Sequence, residues 1–137
     1  LPGVLGDVLR FPGAVRLVRS CHEAGCLIAV ASSADRIKIE ANLNKIGLPP
    51  PLWSAIVTAE DVVNRKPAPD LFLAAARRMG VPPAGCIVIE DATNGVRAAK
   101  AAGMKCIALC QTFPESQLLE ADRIVKSIAH LTLADLE

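Results

Sequence analysis

The chain has 137 residues, with 15 Lys and Arg against 14 Asp and Glu and a formal net charge of +1. That length suits one compact domain, and the interspersed charges exclude the broad basic face of a nucleic-acid or membrane-surface binder. Apolar residues make up 52% and aromatic residues 3%, which describes an aliphatic core of the kind found in layered α/β proteins and excludes disorder.

The elements follow in chain order. Residues 13–25 place Ala14, Leu17, Val18 and Cys21 at helical spacing, with Arg16, Arg19 and Glu23 on the other side and Gly25 as a stop. The unbroken apolar run 27–31 reads as a strand covered on both faces and ends at Ser32-Ser33-Ala34-Asp35. A second helix runs through Leu43 and Ile46 to Gly47. Residues 55–58 form a short strand, and a helix follows that Pro69 can start and Gly80 can end. Residues 86–89 are the next strand, 92–102 a helix closed by Gly103, 106–109 a strand, and 123–125 a last strand. Alternation of buried strands and helices predicts a mostly parallel sheet with helices on both faces.

In such sheets functional groups gather just past the carboxyl ends of the strands. Ser32 and Ser33 follow the first of these strands, Lys66 lies in the loop after the second, and Glu90 and Asp91 follow the third. The chemistry suits a phosphoryl group: a hydroxyl to bond an oxygen, an ammonium to neutralise charge, and two carboxylates of the kind that hold magnesium. Taken singly, each has a plainer reading as a helix cap, a solvated lysine or dipole compensation.

The segments Val30-Ala31-Ser32-Ser33, Lys66-Pro67-Ala68-Pro69-Asp70-Leu71-Phe72 and Ile89-Glu90-Asp91-Ala92-Thr93-Asn94-Gly95, with Ala98 to Gly103 after them, resemble motifs II, III and IV of the haloacid dehalogenase (HAD) superfamily. The likeness is to the subgroup containing β-phosphoglucomutase and phosphoglycolate phosphatase, and it covers nearly the whole chain. Residues 29–38 are also similar in wording to the HAD module of plant suppressor-of-quenching-like proteins.

The resemblance implies a three-layer Rossmann-like α/β core with a parallel sheet and a Mg2+-dependent phosphatase or phosphomutase acting on a small phosphorylated metabolite. It implies that Ser32 and Lys66 are catalytic, that Ser33, Asp35 and Arg36 contact substrate, and that Glu90 and Asp91 bind the metal. Asp35-Arg36 departs from the subgroup's usual residues, which leaves the substrate open.

The larger departure is an absence. The family's first motif is an apolar strand ending in Asp-x-Asp-Gly-Thr, whose first Asp is the nucleophile and whose second is the general acid/base. No such segment occurs here: Asp7 stands in Leu5-Gly6-Asp7-Val8-Leu9-Arg10 without a second Asp two residues on. The expectation is a partial HAD-like core over residues 1–137, lacking the motif I strand and the helical cap, whose remainder belongs to a parent protein. With the central strand missing, the isolated chain is expected to be poorly stable and inactive.

The five cysteines form no CxxC pair and read as reduced core thiols, and no apolar run approaches a membrane span. A soluble, reducing compartment is expected, cytoplasm or chloroplast stroma. The competing reading is a catalytically silent HAD-like binding or regulatory module. A response-regulator receiver fits poorly because its acidic pair precedes its Ser/Thr, and a dinucleotide-binding fold fits poorly because no GxGxxG follows a strand.

Overall fold

The computed structural model describes residues 2–136; Leu1 and Glu137, the ends of the expected 1–137 unit, lie outside the described residues. The elements are β1 (Gly3–Leu5), α1 (Ala14–Glu23), β2 (Ile28–Ala31), α2 (Arg36–Lys45), β3 (Ala55–Val57), α3 (Asp70–Met79), β4 (Ile87–Glu90), α4 (Thr93–Ala101), β5 (Lys105–Leu109) and β6 (Arg123–Val125). All six strands join one parallel sheet in the order β3-β2-β1-β4-β5-β6.

Side chains alternate across the sheet, and the two faces bury separate aliphatic clusters. Val4, Ala29, Ala31 and Val88 point to the face covered by α3 and α4, where Phe72, Ala75, Ala98 and Ala99 pack. Leu5, Ile28, Val30, Ile87 and Ile89 point to the face covered by α1 and α2, against Leu17, Val18, Ile39 and Leu43. The result is the expected three-layer α/β core. None of the helices among the described residues is long and apolar enough to cross a membrane.

One expectation is overturned. The slot between β2 and β4 is filled by the chain's own β1, although the Asp-x-Asp-Gly-Thr wording is absent. Val4 pairs with Ala29 on one side and Val88 on the other, and both Val4 and Leu5 are buried. The ladder continues past both ends: the Gly3 N–H donates to Leu27 O at 3.0 Å, the Ile87 N–H to Pro2 O at 2.9 Å, and the Gly6 N–H to Ile89 O at 3.1 Å. The backbone groups that an empty slot would have orphaned are therefore paired. Asp7 follows the carboxyl end of this central strand, separated from it by Gly6.

The five cysteines are unpaired, with Cys21, Cys86 and Cys106 buried. Burial, and secondarily the nearby carboxylates of Glu90 and Asp122, push the Cys106 thiol up to about 12, so it behaves as a small apolar group. His22 and His130 are both exposed.

Candidate phosphoryl site

The carboxyl edge of the sheet gathers the ends of β1, β2 and β4 with the loop that follows β3. Ser32, the residue after β2, is fully buried; its N–H donates to Val57 O at 2.9 Å, and its Oγ accepts from the Ala34 N–H at 3.1 Å. That same hydroxyl donates to Asp7 Oδ1 at 2.5 Å. The first and second strands are thus tied together by the side chains that follow them.

Lys66 reaches in from the loop between β3 and α3. Its Nζ lies 2.9 Å from Glu90 Oε2 and 4.9 Å from the centre of the Phe72 ring. Glu90 ends β4 with its side chain 2% exposed. Desolvation raises its carboxyl above the usual range, and the Lys66 ammonium opposes that shift. Two glycines make the space it occupies: a Cβ on Gly95 would stand 1.7 Å from Glu90 Oε2, and one on Gly6 2.4 Å from Glu90 Oε1. Glycine is required at both places by close approach.

Asp91 is buried too, and its Oδ2 accepts from Arg10 Nη2 at 2.8 Å and from the Thr112 hydroxyl at 2.5 Å. Arg10 Nη1 also donates to the backbone oxygen of Asp7. Asp7, Arg10, Ser33, Lys66, Glu90, Asp91, Asn94 and Thr112 line one open cleft of about 350 Å³. Three carboxylates there face two cations.

Ser32, Lys66, Glu90 and Asp91 therefore converge, and Ser33 lines the same cleft. Asp35 and Arg36 are not among the residues lining it. Asp35 caps α2, accepting from the Lys38 N–H at 2.8 Å. Arg36 is held by Ile56 O at 3.0 Å and Asp61 Oδ2 at 3.1 Å. Asp7, Arg10, Thr112 and Gly6 were not singled out from sequence as site residues. The signal for Asp7 was the short apolar run Gly3-Val4-Leu5 before it; nothing local marked Arg10 or Thr112, which reach the site only through the fold.

Residues 5–103 match the haloacid dehalogenase-like hydrolase family. The chain is 50% identical over 128 residues to Protein SUPPRESSOR OF QUENCHING 1, chloroplastic, of Arabidopsis thaliana, covering 92% of this chain and 12% of that protein. It is 40% identical over 132 residues to a bifunctional riboflavin kinase/FMN phosphatase of the same plant, covering 94% and 34% respectively. Among solved structures, CbbY from Rhodobacter sphaeroides in complex with xylulose-(1,5)bisphosphate superposes with a TM-score of 0.85 at 34% identity, over 93% of this chain and 58% of that one. The chain thus spans only part of the length of each.

Proposed function

The chain belongs to the haloacid dehalogenase-like hydrolase family, and on that footing we propose that its cleft is a phosphoryl site in which Asp7 stands as the nucleophile. The observation that carries this is the 2.5 Å bond from the Ser32 hydroxyl to Asp7 Oδ1 at the end of the central strand. It puts a carboxylate against the hydroxyl that the family resemblance assigns to the transferring group, in the cleft that Lys66 also lines. On this proposal Asp7 takes the place that the sequence reading left empty.

In this reading an Asp7 oxygen forms a bond to phosphorus as the ester oxygen leaves. Lys66 offsets the charge spreading over the phosphoryl oxygens, and Ser32 with Ser33 orients them. The leaving alkoxide needs a proton, and Leu9, two residues after Asp7, has none to give. The chain is accordingly suited to taking a phosphoryl group from an activated donor and poorly suited to turning over alkyl phosphates.

Kinship also implies a magnesium ion held by Glu90 and Asp91. The donor set here does not fit one: Asp91 Oδ2 is engaged by Arg10 and Thr112, Glu90 by Lys66, and among the described residues no three of His, Cys, Asp and Glu stand together as a metal set. The small phosphorylated metabolite and the reducing compartment, cytoplasm or stroma, complete the proposal. Relatives that include an FMN phosphatase and a chloroplastic protein support them.

A catalytically silent binding module is the second reading, favoured by Leu9 in place of the acid/base. Incubation with acetyl phosphate, followed by intact-mass measurement, separates the two. The enzyme reading predicts the gain of one phosphoryl group, lost in Asp7→Asn; no gain in the unmodified chain leaves the silent module.

A further inference from the structure

The cleft carries a cation that the family resemblance does not call for. Arg10 Nη2 meets Asp91 Oδ2 at 2.8 Å, Nη1 donates to the Asp7 backbone oxygen, and the guanidinium carbon lies 4.3 Å from the centre of the Phe11 ring. One planar cation therefore ties the buried carboxylate after β4 to the backbone at the end of β1.

We propose that Arg10 is the resident cation of this site, standing in place of a divalent metal beside Asp91, so that the cleft holds a phosphoryl group without metal. The inference rests on the phosphoryl reading above. Asp91 Oδ2 already accepts from two donors, whereas Mg2+ demands unengaged oxygens in a near-octahedral set and gives up its water reluctantly. A guanidinium and a dication on one carboxylate oxygen would also repel each other. Guanidinium, by contrast, has a flat fork of N–H donors that matches phosphate oxygens. The Arg10 side chain is 55% exposed and lines the same open cleft as Lys66, so it keeps N–H donors beyond those spent on Asp91 and Asp7.

The test is calorimetric titration of the whole chain with inorganic phosphate, in EDTA and in excess MgCl2, together with titration by MgCl2 alone. The unmodified chain is expected to bind phosphate equally in both media and to take up no Mg2+. Arg10→Ala is expected to lose phosphate affinity in EDTA by ~10-fold or more, the scale of a hydrogen bond to a charged group, to recover it with Mg2+, and to bind Mg2+ directly. Because Arg10 is half exposed the variant should keep its fold, and the unmodified chain decides the matter without it. Phosphate binding that appears only with Mg2+, or Mg2+ uptake equal in chain and variant, overturns the inference and leaves the phosphoryl reading standing. No phosphate binding in either medium removes that reading, and the inference with it.

Discussion

The Ser32 hydroxyl donates to Asp7 Oδ1 at 2.5 Å while accepting from the Ala34 N–H at 3.1 Å, so one buried oxygen orders both the end of β1 and the turn into α2. Ser32→Ala removes a donor to an exposed carboxylate and an acceptor for a backbone N–H. A stability loss of about 1 kcal/mol is expected for such a hydrogen bond, with phosphate affinity falling roughly tenfold. Urea denaturation and phosphate titration of the variant check the pair; unchanged phosphate affinity would remove Ser32 from the site.

Gly95 lies in the first turn of α4, where alanine ordinarily gains up to about 1 kcal/mol over glycine. Here the sign reverses, because the added Cβ would fall 1.7 Å from Glu90 Oε2. Gly95→Ala is expected to cost roughly 2 kcal/mol or more from overpacking and to displace Lys66 with its partner. Gly6→Ala meets the same carboxylate from the other side, at 2.4 Å. Thermal melts of both variants decide it, and a stabilised Gly95→Ala would show that Glu90 does not sit in this cradle.

Lys66 and Glu90 form the most deeply buried ion pair among the described residues, with side chains 10% and 2% exposed. Removing one partner of such a pair strands the other charge, at a cost on the order of 3–5 kcal/mol. Lys66→Ala should therefore destabilise strongly, and adding Glu90→Gln should recover much of the loss. A double-mutant cycle in urea measures the coupling; additive effects would mean that the pair contributes nothing.

Much of the fold was legible because most of its strands are continuous apolar runs and α1, α3 and α4 carry a clear 3.6-residue period. Ser32, Lys66, Glu90 and Asp91 stood out since each follows such a run. β1 was not legible: three residues between Pro2 and Gly6 carry too little alternation to announce a strand, and only its two neighbours supply its hydrogen bonds. Asp7 was hidden with it. Arg10 and Thr112 reach Asp91 across 81 and 21 positions of sequence, a separation that no local pattern encodes. Asp35 and Arg36 lie outside the lining of the cleft for a different reason: a helix cap and a loop clamp near Asp61 use the same residue types as a substrate contact.

The position of β1 carries its own expectation. Val4 is fully buried at the centre of the sheet, so Val4→Ala deletes two methyl groups from a packed layer and should cost about 2 kcal/mol. The unmodified chain should unfold in urea as one cooperative transition, with fluorescence of Trp53, buried near the opposite end of β2, coinciding with circular dichroism. Two separated transitions, one for each half of the sheet, would restore the expectation of an open central slot.

Acid sensitivity should arise at the far edge of the sheet. Asp122 Oδ2 accepts from the Cys106 N–H at 2.7 Å and from Lys100 Nζ at 2.8 Å, linking the segment before β6 to β5 and the end of α4. Partial burial alone would raise this carboxyl, but the Lys100 ammonium and the Cys106 N–H bond its ionised form and hold it below its ordinary value of 3.8. In the window between the lowered folded value and the ordinary unfolded one, the unfolded chain binds more protons, so stability rises with pH there. The contribution is fully present above about pH 4 and is lost as pH falls through the folded value. Asp122→Asn keeps an oxygen for the Cys106 N–H and removes the charge, so it isolates the electrostatic part. Urea midpoints should differ between chain and variant at pH 7, in favour of the chain, and the difference should shrink as pH falls below about 4. A difference that stays undiminished under acid would mean that Asp122 acts through packing, and one absent at pH 7 that its pairing with Lys100 is without effect.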